Sequence, residues 1–286
     1  MKNEQTKKLD IKILFCDVDE TLVVKNEVPE MNKQAIEKMR KEKNIKFVIA
    51  TGRSISLSEK IIKELNLYDK ENEYSICGSG SSIYENKAKK LLYVKQLKED
   101  IFYKLYELGK KFDIFILFIG LETFYIYKPS ETEIKRRNFE KCKYAILDDD
   151  FSLSELLKGE DKIIRVCFGK ENSFDYLLNI QKIIESDEEI NKYVDCFISS
   201  NQYLEINPKG VNKGEAVKWL CEYLNVKKEN TMAIRDSYND TDMLKNVGFG
   251  CAVAGANEGL KKIAHYVCQK DYTEGAVKEV IDKFLL

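Results

Sequence analysis

One histidine, three prolines and one tryptophan in 286 residues narrow the chemistry open to this chain. With His265 alone, the usual Cys/His zinc sites are nearly excluded, and Ser-His or Cys-His catalysis would rest on that one imidazole. It lies in the helical-looking stretch "GLKKIAHYVC" and reads as a structural or surface residue. No net charge of consequence is present either: the balance is −1, so no global basic field exists to hold nucleic acid or an anionic membrane. Long apolar runs are also missing. The most apolar stretch, "FDIFILFIGLETFYIY" at 112–127, carries Asp113 and Glu122 and reads as two strands. The charged start, "MKNEQTKKLDIK", does not resemble a signal peptide, so a cytoplasmic location is expected.

Eight cysteines are present, but none forms a C-x-x-C pair and several sit in apolar runs. Reduced core thiols are expected. An enzyme built from this chain has to work with carboxylates and lysine, with or without a metal ion.

The first part alternates strands, "IKILFC" (11–16), "IKFVIA" (45–50) and "YSIC" (74–77), with the amphipathic helices "EMNKQAIEKMRKEK" and "SLSEKIIKELNL". That pattern predicts a parallel sheet covered on both faces. The middle differs: strand-like runs "LLYVKQL", "IFILFIG", "TFYIYK", "KIIRVCFG" and "QYLEINP" come with two longer helices, predicting an antiparallel α+β module. Strand-helix alternation then returns with "KGEAVKWLCEYLN" and "TMAI". The economical reading is a doubly wound parallel α/β core, residues 1–83 and 208–286, with an inserted α+β domain at 84–207.

Three core strands run into residues with chemistry. "IKILFC" leads to Asp17-x-Asp19-x-Thr21, "IKFVIA" to Thr51-Gly52-Arg53, and "TMAI" to Arg235-Asp236 and on to Asp240. Ligands of doubly wound sheets bind at the carboxyl ends of the strands. Asp17, Asp19, Asp236 and Asp240 would gather there and repel one another, and a hard divalent cation, Mg²⁺, relieves that repulsion. Lys213 opens a helix, where the dipole disfavours a cation unless an anion lies nearby. Carboxylates, Mg²⁺, a lysine and a threonine hydroxyl together point to phosphoryl transfer.

"DVDETL", "IATGRS", "NPKGVNKGEAV" and "RDSYNDTDML" resemble, in order and approximate spacing, the motifs of the haloacid dehalogenase (HAD) superfamily. More closely they resemble its Cof-type phosphatases, which carry a large α/β cap. The resemblance implies a nucleophilic Asp17 that forms an aspartyl-phosphate, and Asp19 as general acid and base. It further implies Mg²⁺ held by Asp17, the carbonyl of Asp19, Asp236 and waters oriented by Asp240. Thr51, Lys213 and Asn239 would serve the phosphate, and Arg53 the substrate or cap. A small phosphorylated metabolite is the implied partner, a sugar phosphate first, then pyridoxal phosphate or flavin mononucleotide, for a monomer or small homo-oligomer. A phosphomutase and a catalytically silent phosphate-binding protein are the alternatives.

The sequence departs from the family pattern at four places. Glu20 and Arg235 stand where Gly is usual, and Ser79 and Gly255 where Asn is common. Glu20 and Arg235 could pair across the site. The loop "GSGSS" (78–82) reads as a turn rather than a phosphate cradle, "DDD" (148–150) as a solvated loop, and "KRRNFEKCK" (135–143) as an exposed face.

Overall fold

The structure is a computed structural model and describes residues 9–199, 201–236 and 241–286. The chain divides into two compact units, residues 1–93 with 212–286 and residues 94–211. The sequence reading drew these boundaries at 83/84 and 207/208. The first lies later in the structure because "LLYVKQL" straddles it, Leu91, Leu92 and Tyr93 falling in the first unit and the remainder in the second. The strand of that run closes one edge of the large sheet.

In the first unit, β1 (Ile13–Asp17), β2 (Lys46–Ala50), β3 (Tyr74–Cys77), β12 (Thr231–Arg235), β13 (Phe249–Ala252) and β14 (Tyr266–Val267) run parallel. With β4 (Ser82–Glu85), which returns antiparallel to β3, and β5 (Lys90–Val94), the order is β14-β13-β12-β1-β2-β3-β4-β5. Every residue of β1 is buried, as expected for a central strand of a sheet covered on both faces. Helix α1 (Glu30–Lys43) packs on α11 (Ala276–Phe284). Helix α2 (Ile55–Glu64) starts at Ser54, whose side chain accepts from the Leu57 amide. Helix α8 (Lys213–Tyr223) contacts α9 (Thr241–Lys245). The chain leaves β1 toward β2 on one side and meets β12 on the other, so the switch in winding falls between β1 and β12.

Near the end of the chain the expected helix is shorter. Helix α10 (Glu258–Ile263) stops before His265, which precedes β14. His265 Nδ1 accepts from the Gly250 amide at 3.0 Å, and its ring stacks on Phe249. That is the structural role expected of it, in a strand setting rather than a helical one.

The second unit is a six-stranded sheet, in the order β10 (Val194–Ser199), β11 (Tyr203–Pro208), β9 (Ile163–Gly169), β6 (Phe115–Gly120), β7 (Phe124–Tyr127), β8 (Tyr144–Leu147). All neighbours are antiparallel except β7 and β8. The two strands expected from 112–127 are β6 and β7. Helices α3 (Glu99–Gly109) and α6 (Phe174–Ser186) bury Ile101, Leu105, Leu177 and Ile180 against Phe118, Val166 and Phe168.

Helix α4 (Glu131–Glu140) corrects the reading of "KRRNFEKCK" as a wholly exposed face. Phe139 is exposed, but Arg137 is buried, 2.8 Å from buried Glu133. The Tyr203 hydroxyl donates to Glu133 and accepts from Arg137. A charged helix can bury both signs because each supplies the other's partner.

All eight cysteines are free, and seven are buried. Burial pushes the Cys167 thiol far above its usual range and that of Cys142 up to about 11, so neither is a ready nucleophile. Among the described residues no helix is long and apolar enough to cross a membrane.

Candidate active site

Asp17 ends β1 with its carboxylate buried. One oxygen, Oδ1, accepts from Lys213 Nζ at 2.8 Å and from the Val18 amide at 2.7 Å. Lys213 is buried as well. Its helix begins there because the Asn212 side chain accepts from the Glu215 amide, a regular N-cap. The anion required by a lysine at a helix N-terminus is therefore the Asp17 carboxylate.

The strand register brings the other partners to Asp17. Cys16 lies beside Ile234, so the next step along both strands sets Asp17 beside Arg235. Neighbours in register point to the same face of a sheet. Arg235 is 1% exposed, and its Nη2 lies 4.0 Å from Asp17 Oδ2. Asp236 follows, its Oδ1 accepting from the Thr21 hydroxyl at 3.0 Å. The Asp236 carboxyl is pushed up to about 6, first by burial and then by the charge of Asp17.

Two partly or wholly buried carboxylates that repel one another are a fitting donor pair for a hard, oxygen-seeking divalent cation. Among the described residues no group of three or more His, Cys, Asp and Glu side chains gathers around one point. Asn239 and Asp240, both expected at the site, lie outside the described residues.

Asp19 is placed differently from Asp17. Its carboxylate is largely exposed and lies across the Arg53 guanidinium, accepting from Nε at 3.2 Å and Nη2 at 2.5 Å. Arg53 also donates to Asn26. The partner of Arg53 in this structure is thus Asp19, a pairing that sequence spacing alone does not show. Thr51 is fully buried at the end of β2, and its hydroxyl accepts from the Arg53 amide at 3.1 Å. Asp17 and Ala50 are neighbours in register, so Thr51 follows at the same edge of the sheet.

Two of the four departures from the family pattern sit where the backbone is left-handed. Glu20 has φ +53° and Ser79 φ +57°. Glycine is free of strain there and asparagine tolerates it. The suggested Glu20–Arg235 pair is not formed. Glu20 is exposed, and the described ion pair of Arg235 is with Asp17.

The "GSGSS" loop forms a tight turn, as read, but it also positions the site. Gly80 has φ +97°, and a Cβ there would lie 2.3 Å from the Asn212 carbonyl oxygen and 3.0 Å from the Lys213 nitrogen. Gly80→Ala is expected to force the start of α8 away from Asp17. A loss of about 2–4 kcal/mol in stability follows from strain and clash. Any turnover that depends on the Asp17–Lys213 pair should fall at least about tenfold through misplacement of Lys213. Thermal melting and rate measurements on the same preparation check both. Unchanged values would show that the loop yields without cost.

A family profile described as haloacid dehalogenase-like hydrolase matches residues 14–281. The chain is 25% identical over 277 residues to 5-amino-6-(5-phospho-D-ribitylamino)uracil phosphatase of Bacillus subtilis, covering 96% of this chain and 97% of that one. It is 46% identical over 83 residues to a phosphoglycolate phosphatase of Methanobrevibacter smithii, a match to 29% of this chain and 35% of the relative. A haloacid dehalogenase-like hydrolase from Bacteroides thetaiotaomicron shares the fold, with TM-score 0.82 and 22% identity over 96% of this chain and 99% of that one. So does a subclass IIB sugar phosphatase of the HAD superfamily, with TM-score 0.75 and 20% identity over 96% and 98%. The resemblance carried by the four motifs is thereby borne out, and the chain belongs to the haloacid dehalogenase-like hydrolase family.

Proposed function

We propose that this hydrolase is a Mg²⁺-dependent phosphatase of small phosphomonoesters, working through an aspartyl-phosphate on Asp17. The observation that carries this reading is the buried Asp17 carboxylate at the end of a central strand, held at one oxygen by Lys213 and faced by Asp236. Lys213 and the Val18 amide tie Oδ1, which leaves Oδ2 to attack phosphorus. Lys213 and Thr51 supply donors for the phosphoryl oxygens. Asp19 protonates the departing oxygen and then takes a proton from the water that cleaves the aspartyl-phosphate. To reach that position its side chain must swing away from Arg53.

Asp17, the carbonyl of Asp19, and Asp236 would hold the metal ion. When bound, it neutralises charge on the phosphoryl group and the carboxylates. From the resemblance alone, Asp240 is assigned to the waters of the ion and Asn239 to phosphate hydrogen bonds. Residues 94–211 are read as the cap that selects the leaving group. Sugar phosphates are favoured as substrates, a choice supported by the sugar phosphatase of like fold, with pyridoxal phosphate and flavin mononucleotide next. Eight free thiols suit the reducing cytoplasm.

The test is phosphate release from p-nitrophenyl phosphate and a panel of sugar phosphates, pyridoxal phosphate and flavin mononucleotide, each with Mg²⁺ and with EDTA. Release is expected with Mg²⁺ and should drop to background with EDTA. Folded protein that releases nothing from any of them would sink the phosphatase reading and leave a phosphomutase or a binding protein.

A further inference from the structure

We propose that Arg53 is the receptor for a carboxylate on the substrate's leaving group, and that this carboxylate replaces Asp19 on the guanidinium and so frees Asp19 for proton transfer. The inference rests on the phosphatase reading above and narrows its substrates to phosphomonoesters whose departing part carries an acid group.

Arg53 is fixed by its surroundings. Its carbonyl accepts from the Gly78 amide at 2.9 Å and its amide donates to the Thr51 hydroxyl, which ties its backbone to the sheet edge where Asp17 lies. Nη1 donates to the side-chain oxygen of Asn26. Asn26, at φ +65°, sits in a tight turn whose ends, Val24 and Glu27, exchange backbone hydrogen bonds of 2.9 and 3.1 Å. What is left of the guanidinium is the Nε/Nη2 edge, a planar fork of donors, and both oxygens of Asp19 fill it.

That edge is built for exchange. The Asp19 side chain is 58% exposed against 22% for Arg53, and an ion pair open to water on one side is weakly held. Asp19 is also the member that has to leave, because proton transfer needs an oxygen that Arg53 now holds. Its departure leaves a largely buried guanidinium without a counterion, which is unfavourable. A second carboxylate presents the same two-oxygen fork and the same charge, so it fits the vacated edge. A neutral hydroxyl does not restore the charge. The contact with Asn26 keeps the guanidinium in place while its partner changes.

The measurement compares esters of equal length that differ only in carboxylate against hydroxymethyl. The pairs are phosphoglycolate with 2-hydroxyethyl phosphate, 3-phosphoglycerate with glycerol 3-phosphate, and 6-phosphogluconate with glucitol 6-phosphate. In at least one pair the full-length protein with Mg²⁺ should prefer the acid at least about tenfold in kcat/KM, the worth of a charge-assisted fork of hydrogen bonds. Part of that gain should lie in kcat, since the acid releases Asp19, whereas an arginine that only binds would lower KM alone. Arg53→Met should bring the ratio to about one. Arg53→Lys, which keeps the charge without the fork, should retain only part of it. The inference is overturned if no pair favours the acid, a result that needs no variant to fold. It is equally overturned if the preference lies in KM alone, or if folded Arg53→Met retains it. Any of these results alongside Mg²⁺-dependent phosphate release removes the role of Arg53 alone. Absence of release from these esters and from the wider panel removes the phosphatase reading, and the inference with it.

Discussion

Asp17→Asn is expected to cut phosphate release by about four orders of magnitude or more while the protein stays folded. The asparagine side chain keeps an oxygen that can accept from Lys213 and from the Val18 amide, so the local contacts survive. It lacks the negative charge and the nucleophilicity that attack on phosphorus requires. Loss of a group that acts as a unit with its neighbours is not spread over small increments, which is why the effect is large. A second readout separates chemistry from packing. Wild-type protein quenched during turnover should carry the added mass of one phosphoryl group, and the variant should not. A folded variant that retains a rate within about tenfold of wild type would remove Asp17 from the nucleophile's position.

Lys213→Met should damage both activity and stability. Methionine fills much of the same volume without the charge, so Asp17 loses a hydrogen bond and its nearest cation. Breaking one side of a buried ion pair costs about 3–5 kcal/mol. Arg235 and the Val18 amide remain beside Asp17, so the lower end of that range applies. A fall in the melting temperature on the order of 5–10 °C follows. Catalysis should fall by about two to three orders of magnitude, since a donor aimed at developing phosphoryl charge is gone. Lys213→Arg should recover stability better than rate, because a planar fork does not reproduce a compact ammonium. A methionine variant as stable and as fast as wild type would mean that the pair is incidental to both.

Much of this site was legible because strand ends are legible. Apolar runs that stop abruptly at Asp17, Thr51 and Arg235-Asp236 announce both the buried strand and the edge where its chemistry begins. The order of the motifs then gives the family. What periodicity does not carry is the identity of the neighbour across space. Arg53 clasping Asp19 and Arg235 beside Asp17 are tertiary pairings of residues that usually face water, and Arg137 meets Glu133 one turn away on its own helix, where spacing shows the pair but not its burial. Short or half-exposed strands escaped for another reason. β14 has two residues, and β8 and β10 carry intermediate and exposed positions, so neither length nor alternation sets them apart from loops. The "LLYVKQL" run reads as a strand, but not as one that joins the large sheet, because propensity says strand without saying which sheet.

The strand order has a consequence for synthesis. β1 leaves the ribosome long before β12, which completes one of its two edges more than two hundred residues later. Residues 94–211 form one uninterrupted stretch with its own apolar interior and can close while the remainder is still being made. Until β12 emerges, β1 waits with an unpaired edge of buried-type residues, the kind of edge that invites association between nascent chains. Lys213 is made shortly before β12, so the charge that settles Asp17 and the strand that shields β1 emerge close together.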